Sequence, residues 1–160
     1  MSGEYLLFTI DDERCAIPIG VVREVIPYQP ITVVPSAPRT IRGVIDLRGK
    51  VVPIVDLAAK FGFKQRPPTK WTCLVIVEAE LGGEPALLAV VADTVDDVLE
   101  LGPADLLPPP SFGTRVRLEY LRAMGRMAQG FALVLDVERL LSIEEIMSVS
   151  SPPGAEEHAR

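Results

Sequence analysis

Short apolar runs, separated by proline, glycine and acidic residues, predict a chain built mainly of β-strands. Residues 4–10 and 14–19 are two such runs, and the three acidic residues between them predict a hairpin turn. Residues 19–26 have apolar side chains at helical spacings, but they are so rich in β-branched residues that a strand fits equally well. Residues 31–34 are bounded by prolines and predict a further strand.

The clearest turn lies between residues 40–45 and 50–55, where Gly49 can adopt the positive φ that a tight hairpin requires. Pro53 has no amide hydrogen, so its strand is expected to lie at a sheet edge or to contain a bulge. Residues 56–61 predict one helical turn that the following glycine ends.

In the second half, residues 71–79 and 85–95 predict two long strands joined at a pair of glycines. Trp71, at the start of the first strand, is expected to anchor the edge of the core. Residues 116–127 look helical locally, although their glycines also suit a hairpin. Residues 137–147 predict a terminal amphipathic helix.

Length and charge narrow the class of protein. The chain has 160 residues, which favours one domain or two small interlocked ones. It has 22 acidic and 16 basic residues, a net charge of −6, and no basic cluster, which argues against nucleic-acid binding. No apolar stretch approaches the roughly 20 residues that span a bilayer, and the N-terminus has no basic segment of a secretory signal. We therefore expect a cytoplasmic protein without direct membrane insertion.

The polar residues do not form a catalytic or metal-binding set. The single histidine, His158, lies in a Ser-, Pro- and Glu-rich tail, whereas nucleophilic catalysis needs a histidine held beside its nucleophile. Cys15 and Cys73 lie far apart in apolar runs, so we expect inert, reduced thiols and no zinc site. The carboxylates within residues 93–97 predict a solvated rim. We expect no cofactor, and a small carboxylate-dependent enzyme is the disfavoured alternative.

Residues 41–62 contain the most specific motif in the sequence. Ile-Arg-Gly-Val-Ile-Asp-Leu-Arg-Gly at residues 41–49, Val-Pro-Ile-Val-Asp-Leu at 52–57 and Lys-Phe-Gly at 60–62 resemble the signature of the CheW family, the coupling proteins of bacterial chemotaxis. Matches elsewhere extend the resemblance, in collinear order, over residues 4–147. There are departures: Asp46 stands where the family usually has Asn, and Ala58 and Ala59 replace a usual basic residue and its neighbour.

The resemblance implies a mainly β fold of two interlocked five-stranded SH3-like barrels, with a core between them, short helices and a C-terminal helix. It favours a strand within residues 116–127. Residues 1–147 would form one CheW-like domain of two interwoven subdomains, and residues 148–160, rich in Pro, Gly and charge, a flexible tail.

In function, the resemblance implies a non-enzymatic adaptor that couples the cytoplasmic tips of chemoreceptors to the regulatory domain of a histidine kinase. Such a protein is a monomer alone and is recruited to receptor arrays at the inner face of the membrane. An SH3-like peptide-binding adaptor of a related chemosensory or motility pathway is the alternative.

Arginine at a hairpin tip suits such a role, because its planar guanidinium pairs bidentately with carboxylates. We therefore expect Arg48 to contact a partner. Glu24, on the segment that resembles the receptor-facing element of the family, is expected to orient it. Val22 is a candidate apolar contact, and Gly43 is expected to allow close approach of a strand or a partner. Asp46 completes the predicted partner-binding set.

Overall fold

The computed structural model describes residues 3–109, 116–142 and 145. The β-strands of this part of the chain are β1 (Gly3–Ile10), β2 (Glu13–Pro18), β3 (Val22–Pro27), β4 (Ile41–Leu47), β5 (Lys50–Val55), β6 (Cys73–Leu81), β7 (Glu84–Ala92), β8 (Thr94–Leu101), β9 (Leu106–Leu107), β10 (Leu121–Met127) and β11 (Gly130–Leu135). The helix α1 spans Leu57–Phe61, and 3-10 turns occupy Ile19–Val21, Pro103–Asp105, Leu118–Tyr120 and Val137–Arg139.

The strands form two mixed sheets, each curled around a core of its own. One has the order β8-β1-β2-β11-β10-β9, and we call it barrel 1; the other has the order β3-β6-β7-β5-β4, and we call it barrel 2. The expected mainly β architecture is confirmed, with one difference: barrel 1 gains a sixth strand, the two-residue β9.

Three groups of buried side chains fill the molecule, which explains why two small barrels form one unit. One face of the strands of barrel 2 encloses Ile45, Val52, Ile54, Leu74, Ile76, Ala89 and Val91. One face of the strands of barrel 1 encloses Tyr5, Leu7, Ala16, Leu101, Ala123, Ala132 and Val134. The remaining faces and α1 share a larger core that includes Phe8, Ile17, Leu57, Leu88 and Leu140. Burying both faces of these strands removes apolar surface that either barrel alone would expose.

The two barrels repeat one strand arrangement. The hairpins β4–β5 and β10–β11 have the same register and the same bulge after their first pair: Ile41 with Val55 and Gly43 with Ile54, and Leu121 with Leu135 and Ala123 with Val134. The second strand of each hairpin then pairs in parallel with the other half of its barrel, β5 with β7 and β11 with β2. Residues of barrel 2 therefore have counterparts in barrel 1, and Arg42 and Arg122 lie at the two bulges.

Most of the locally encoded elements are confirmed. The first hairpin turns at Asp11 and Asp12, whose φ angles of 50° and 65° suit aspartate. Residues 19–26 form a 3-10 turn and then β3, so the strand alternative is correct. The helix α1 begins at its N-cap Asp56, which accepts a hydrogen bond from the Ala59 amide, and ends at Gly62 in the left-handed conformation.

The strand predicted at residues 31–34 is wrong. Only Thr32 pairs, through two hydrogen bonds with Val44 of 2.9 and 2.8 Å, because the prolines that bound the segment interrupt a longer ladder. Pro53 is not in an edge strand either, since β5 lies between β7 and β4, and the bulge of this hairpin is at Arg42 of β4 rather than in β5. Its cross-strand partner is Val44, whose N–H and C=O already bond to Thr32, so no amide is needed from position 53 on that side.

The structure departs from two further expectations from the sequence. Trp71 does not anchor the core, because it lies in the turn before β6 and is 64% exposed. The terminal helix predicted over residues 137–147 is not confirmed, because its first residues form the 3-10 turn Val137–Arg139. Residues 143–144 and 146–147, and the predicted tail at 148–160, lie outside the described residues.

Candidate functional site

Arg48 lies at the tip of the β4–β5 hairpin, where the backbone presents it to solvent. Arg48 and Gly49 are the two central residues of the turn, with φ angles of 52° and 87°, as a two-residue type I′ turn requires. The Gly49 amide donates to Asp46 Oδ1 at 2.8 Å, which holds the turn in place. The Arg48 side chain is 72% exposed.

Glu24 reaches this arginine from β3. Arg48 Nη2 donates a hydrogen bond to Glu24 Oε2, so the pair that the sequence suggested is formed. This hydrogen bond and the negative charge of Glu24 raise the pKa of the Arg48 guanidinium. The Glu24 side chain is 29% exposed, so the pair remains open to solvent.

The pair joins two strands that do not share a backbone ladder. The order β3-β6-β7-β5-β4 places β3 and β4 at opposite edges of the five-stranded sheet. Barrel 2 closes where these two edges face each other, and we call this line, from Glu24 and Arg48 at one end to Tyr28 and Arg42 at the other, the seam. β3 and β4 meet here through side chains, and the two backbone hydrogen bonds between Thr32 and Val44 join the segment after β3 to β4.

The other predicted site residues, Asp46, Val22 and Gly43, differ in how exposed they are. Asp46 is exposed and lies in the same turn as Arg48. Val22 is half-buried and packs against the shared core. Gly43 is buried, and a Cβ built on it would lie 2.4 Å from both Ile31 Cγ2 and the Thr32 carbonyl oxygen. The close approach predicted for Gly43 is therefore made by the chain itself, and we no longer count it as a contact residue.

Two exposed valines of barrel 2 could not be identified from the sequence. Val25 follows Glu24 and is 39% exposed, while Val51 is the cross-strand partner of Asp46 and is 67% exposed. Val52, the next residue along, is fully buried. Because neighbouring valines look alike in a sequence, only the register of the strand decides which of them a partner can touch.

A second polar cluster surrounds Arg42, the bulge residue of β4. Its Nε and Nη2 donate to Asp56 Oδ2 at 3.1 and 2.8 Å, and its Nη1 donates to the Tyr28 hydroxyl at 3.3 Å. Asp56 is 1% exposed and also accepts a hydrogen bond from the Gln65 amide group. Burial alone lowers the pKa of Arg42, but the bonds to Tyr28 and Asp56 outweigh it and raise that pKa. The sequence signal for this pair was an arginine and an aspartate at the two ends of one hairpin.

A third cluster ties the end of the described chain to α1. Lys60 Nζ lies 2.6 Å from Glu145 Oε1, and the Thr40 hydroxyl donates to the other carboxylate oxygen. Burial raises the pKa of Glu145, but hydrogen bonds from Lys60, Thr40 and the Ser142 amide outweigh it and lower that pKa. The group lines an open cavity of about 500 Å³ together with Glu119, Tyr120 and Arg139.

The described thiols and carboxylates lack the arrangements that metal binding or thiol chemistry requires. Among the described residues, no group of three or more His, Cys, Asp or Glu side chains is arranged to hold a metal ion. Burial raises the pKa of the Cys15 and Cys73 thiols, which disfavours the reactive thiolate. No helix in the described part of the chain is long and apolar enough to cross a membrane.

Two barrels that share a core and display an ion pair at a turn form a domain with an exposed polar contact surface. A family model, described as the CheW-like domain, matches residues 4–145. The chain is 35% identical over 151 residues to the chemotaxis protein CheW of Klebsiella aerogenes, covering 94% of this chain and 89% of that protein. It is 28% identical over 142 residues to a probable CheW of Rhizobium etli, covering 89% of each.

A solved structure agrees with these sequence matches. The scaffolding protein TtCheW of Thermoanaerobacter tengcongensis superposes with a TM-score of 0.80 over 91% of both chains, at 26% identity. The chain belongs to the CheW family, a family of scaffold and adaptor proteins. It is accordingly a chemotaxis coupling adaptor, as its resemblance implied.

Proposed function

We propose that this chain joins a chemoreceptor to a histidine kinase by binding alone, and that the Glu24–Arg48 pair is its receptor contact. The receptor partner is the cytoplasmic tip, and the kinase partner is the regulatory domain. The chain is a monomer on its own, carries no cofactor and assembles with both partners in arrays at the inner face of the membrane. Residues 1–147 form the working domain, and residues 148–160 are a tail.

The observation that carries this proposal is the display of Arg48. Its guanidinium has five N–H donors, and one of its nitrogens is engaged by Glu24. Because Glu24 already orients the side chain, less side-chain entropy is lost when a partner binds. The remaining donors face solvent, where a carboxylate or carbonyl group of the receptor can accept hydrogen bonds from them.

The surroundings of the pair support the same role. Val51, the cross-strand partner of Asp46, provides exposed apolar area beside the hairpin tip. Interfaces typically combine apolar contacts with a few well-placed charged groups, and an arginine near the centre is a frequent source of binding energy. The related-pathway alternative is not favoured, because the family relatives described above are named as chemotaxis proteins.

The test is a binding measurement with Arg48→Glu. The change places two carboxylates side by side and reverses the charge offered to the receptor, so affinity for a purified receptor cytoplasmic fragment should fall by about 100-fold or more. Arg122→Glu is the matched control, since Arg122 is an exposed arginine on the equivalent strand of barrel 1. If both variants fold and bind like the parent protein, Arg48 is not the receptor contact.

A further inference from the structure

The seam of barrel 2 is fastened at both ends by an arginine. At one end, Arg48 of the β4–β5 turn bonds to Glu24 of β3. At the other end, Arg42 of β4 bonds to the hydroxyl of Tyr28, the residue that follows β3. Tyr28 is itself fixed to the sheet, because its amide donates to the Thr72 carbonyl oxygen at 3.0 Å. Ile26 and Leu47 pack in the barrel core near these edge strands.

Compared with Arg48, Arg42 is held far more firmly. Its side chain is 22% exposed, and it makes two hydrogen bonds to the nearly inaccessible carboxylate of Asp56. Asp56 in turn caps α1 through the Ala59 amide. Arg42 is thus attached to Asp56 at the start of α1 and reaches across the seam to Tyr28.

Barrel 1 shows that the bulge does not require this ion pair. Arg122 occupies the equivalent bulge, and Asp136 the equivalent position after the hairpin, in the same register. In the part of the chain that is described, Arg122 is exposed and no ion pair joins it to Asp136, which lies 3.7 Å from Arg139 Nε instead. The same backbone geometry therefore forms without the pair, and folding of the hairpin alone does not account for it.

We propose that Arg42, held on Asp56, is a positioning residue: by bonding to Tyr28 it fixes the distance between β3 and β4 and so keeps Glu24 in reach of Arg48. Bulges change the twist of a strand and re-aim the side chains beyond them. A loosened bulge would therefore swing the hairpin tip relative to β3. Arg42 is too enclosed to be the receptor contact itself, and the inference rests on the proposed role of the Glu24–Arg48 pair.

The main test variant combines Arg42→Met with Asp56→Asn, which removes the ion pair without leaving an unpaired buried charge. Asparagine retains the N-cap for α1. The first readout is the NMR signal of the Arg48 Nε–Hε group. In the parent protein, Glu24→Gln should shift this signal; in the double variant, the same change should have no effect, because the pair is already separated.

The second readout is affinity for the receptor cytoplasmic fragment, which should weaken by about ten-fold, within the range of measured couplings between neighbouring residues. The matched control, Arg122→Met with Asp136→Asn, should keep both the NMR response and the affinity. A folded Arg42→Met/Asp56→Asn variant that keeps the NMR response overturns the proposal.

If the double variant does not fold, Tyr28→Phe decides, because it removes only the hydroxyl that accepts across the seam. Loss of the NMR response in Tyr28→Phe supports the positioning role of Arg42, and full retention of the response refutes that role. If the proposed function is wrong, Arg48→Glu binds the receptor normally. The NMR response does not depend on the receptor, so it still shows whether Arg42 positions the Glu24–Arg48 pair.

Discussion

Replacing Gly43 by alanine separates a packing role from a partner-contact role at one of the predicted site residues. Gly43 lies directly beneath the segment around Thr32, and the added methyl carbon would sit 2.4 Å from the Thr32 carbonyl oxygen and from Ile31 Cγ2. A backbone oxygen cannot rotate away as a side chain can. The segment must therefore lift, which strains both hydrogen bonds between Thr32 and Val44.

The expected cost follows from these contacts. Overpacking of a filled site costs about 1–3 kcal/mol, and each lost hydrogen bond contributes about 1 kcal/mol. We expect Gly43→Ala to lower the free energy of unfolding by about 3 kcal/mol, which lowers Tm by roughly 6–12 °C for a chain of this size. In barrel 1, the equivalent position holds Ala123, so the bulge itself tolerates a methyl group.

The assay is thermal and urea unfolding of the purified variant, followed by receptor binding well below its Tm. Gly20→Ala is the control, because nothing lies within 4 Å of the added carbon, and its stability should remain close to that of the parent protein. The folded fraction of Gly43→Ala should bind the receptor normally. An unchanged Tm combined with lost binding would show that Gly43 touches the partner and that the packing argument is wrong.

Three further predictions follow from the structure and the sequence. Because the pKa of Glu145 is lowered in the folded protein, its ion pair stabilises the fold above the unfolded pKa near 4.5, and this contribution is lost as pH falls through the lower folded value. Lys60→Met should therefore reduce the urea midpoint of unfolding at pH 7. The difference in midpoint from the parent protein should shrink at pH 3. A thiol reagent should modify Cys15 only after unfolding, because that thiol is fully buried and its pKa is raised, whereas half-buried Cys73 should react slowly in the native protein. Deleting residues 151–160 should leave Tm unchanged by calorimetry, and a loss of several degrees would show that the tail packs on the domain.

The β4–β5 hairpin and α1 could be predicted from the sequence, because residues close together in the chain determine both. The β4–β5 hairpin depends on Gly49 and on the hydrogen bond from its amide to Asp46, three residues away. The helix α1 depends on an aspartate cap at one end and a glycine at the other. Both devices act within one turn of chain, so they can be recognised without knowing the fold.

Contacts between distant segments could not be predicted in the same way. The strand expected at residues 31–34 is reduced to one bridge by its bounding prolines, and the packing of Ile31 and Thr32 on Gly43 could not be foreseen from the sequence. Trp71 was expected to anchor the edge of the core because it was placed at the start of a strand, yet it lies in the turn before β6 and is exposed, with Lys70 Nζ 5.2 Å from its ring centre. The ion pair between Lys60 and Glu145 joins segments that only the finished fold brings together.

The candidate site was predicted in part. Arg48 could be placed at a turn from the sequence, and Glu24 entered through the family resemblance. That these two residues meet depends on closure of the barrel, which brings opposite edges of one sheet together. The cluster of Arg42, Asp56 and Tyr28 was missed: the hairpin placed Arg42 and Asp56 at its two ends, but the approach of Tyr28 depends on closure of the barrel.

The central claim, that this chain transmits receptor state to a kinase through Arg48, is tested most directly by reconstitution. Receptor cytoplasmic fragments in a clustered form, a chemotaxis histidine kinase and this chain are combined, and kinase autophosphorylation is measured with and without the chain. Kinase activity should depend on the receptor only when the parent chain or Arg122→Glu is present, and Arg48→Glu should abolish this dependence. Equal receptor control of the kinase with Arg48→Glu and with the parent chain would contradict it.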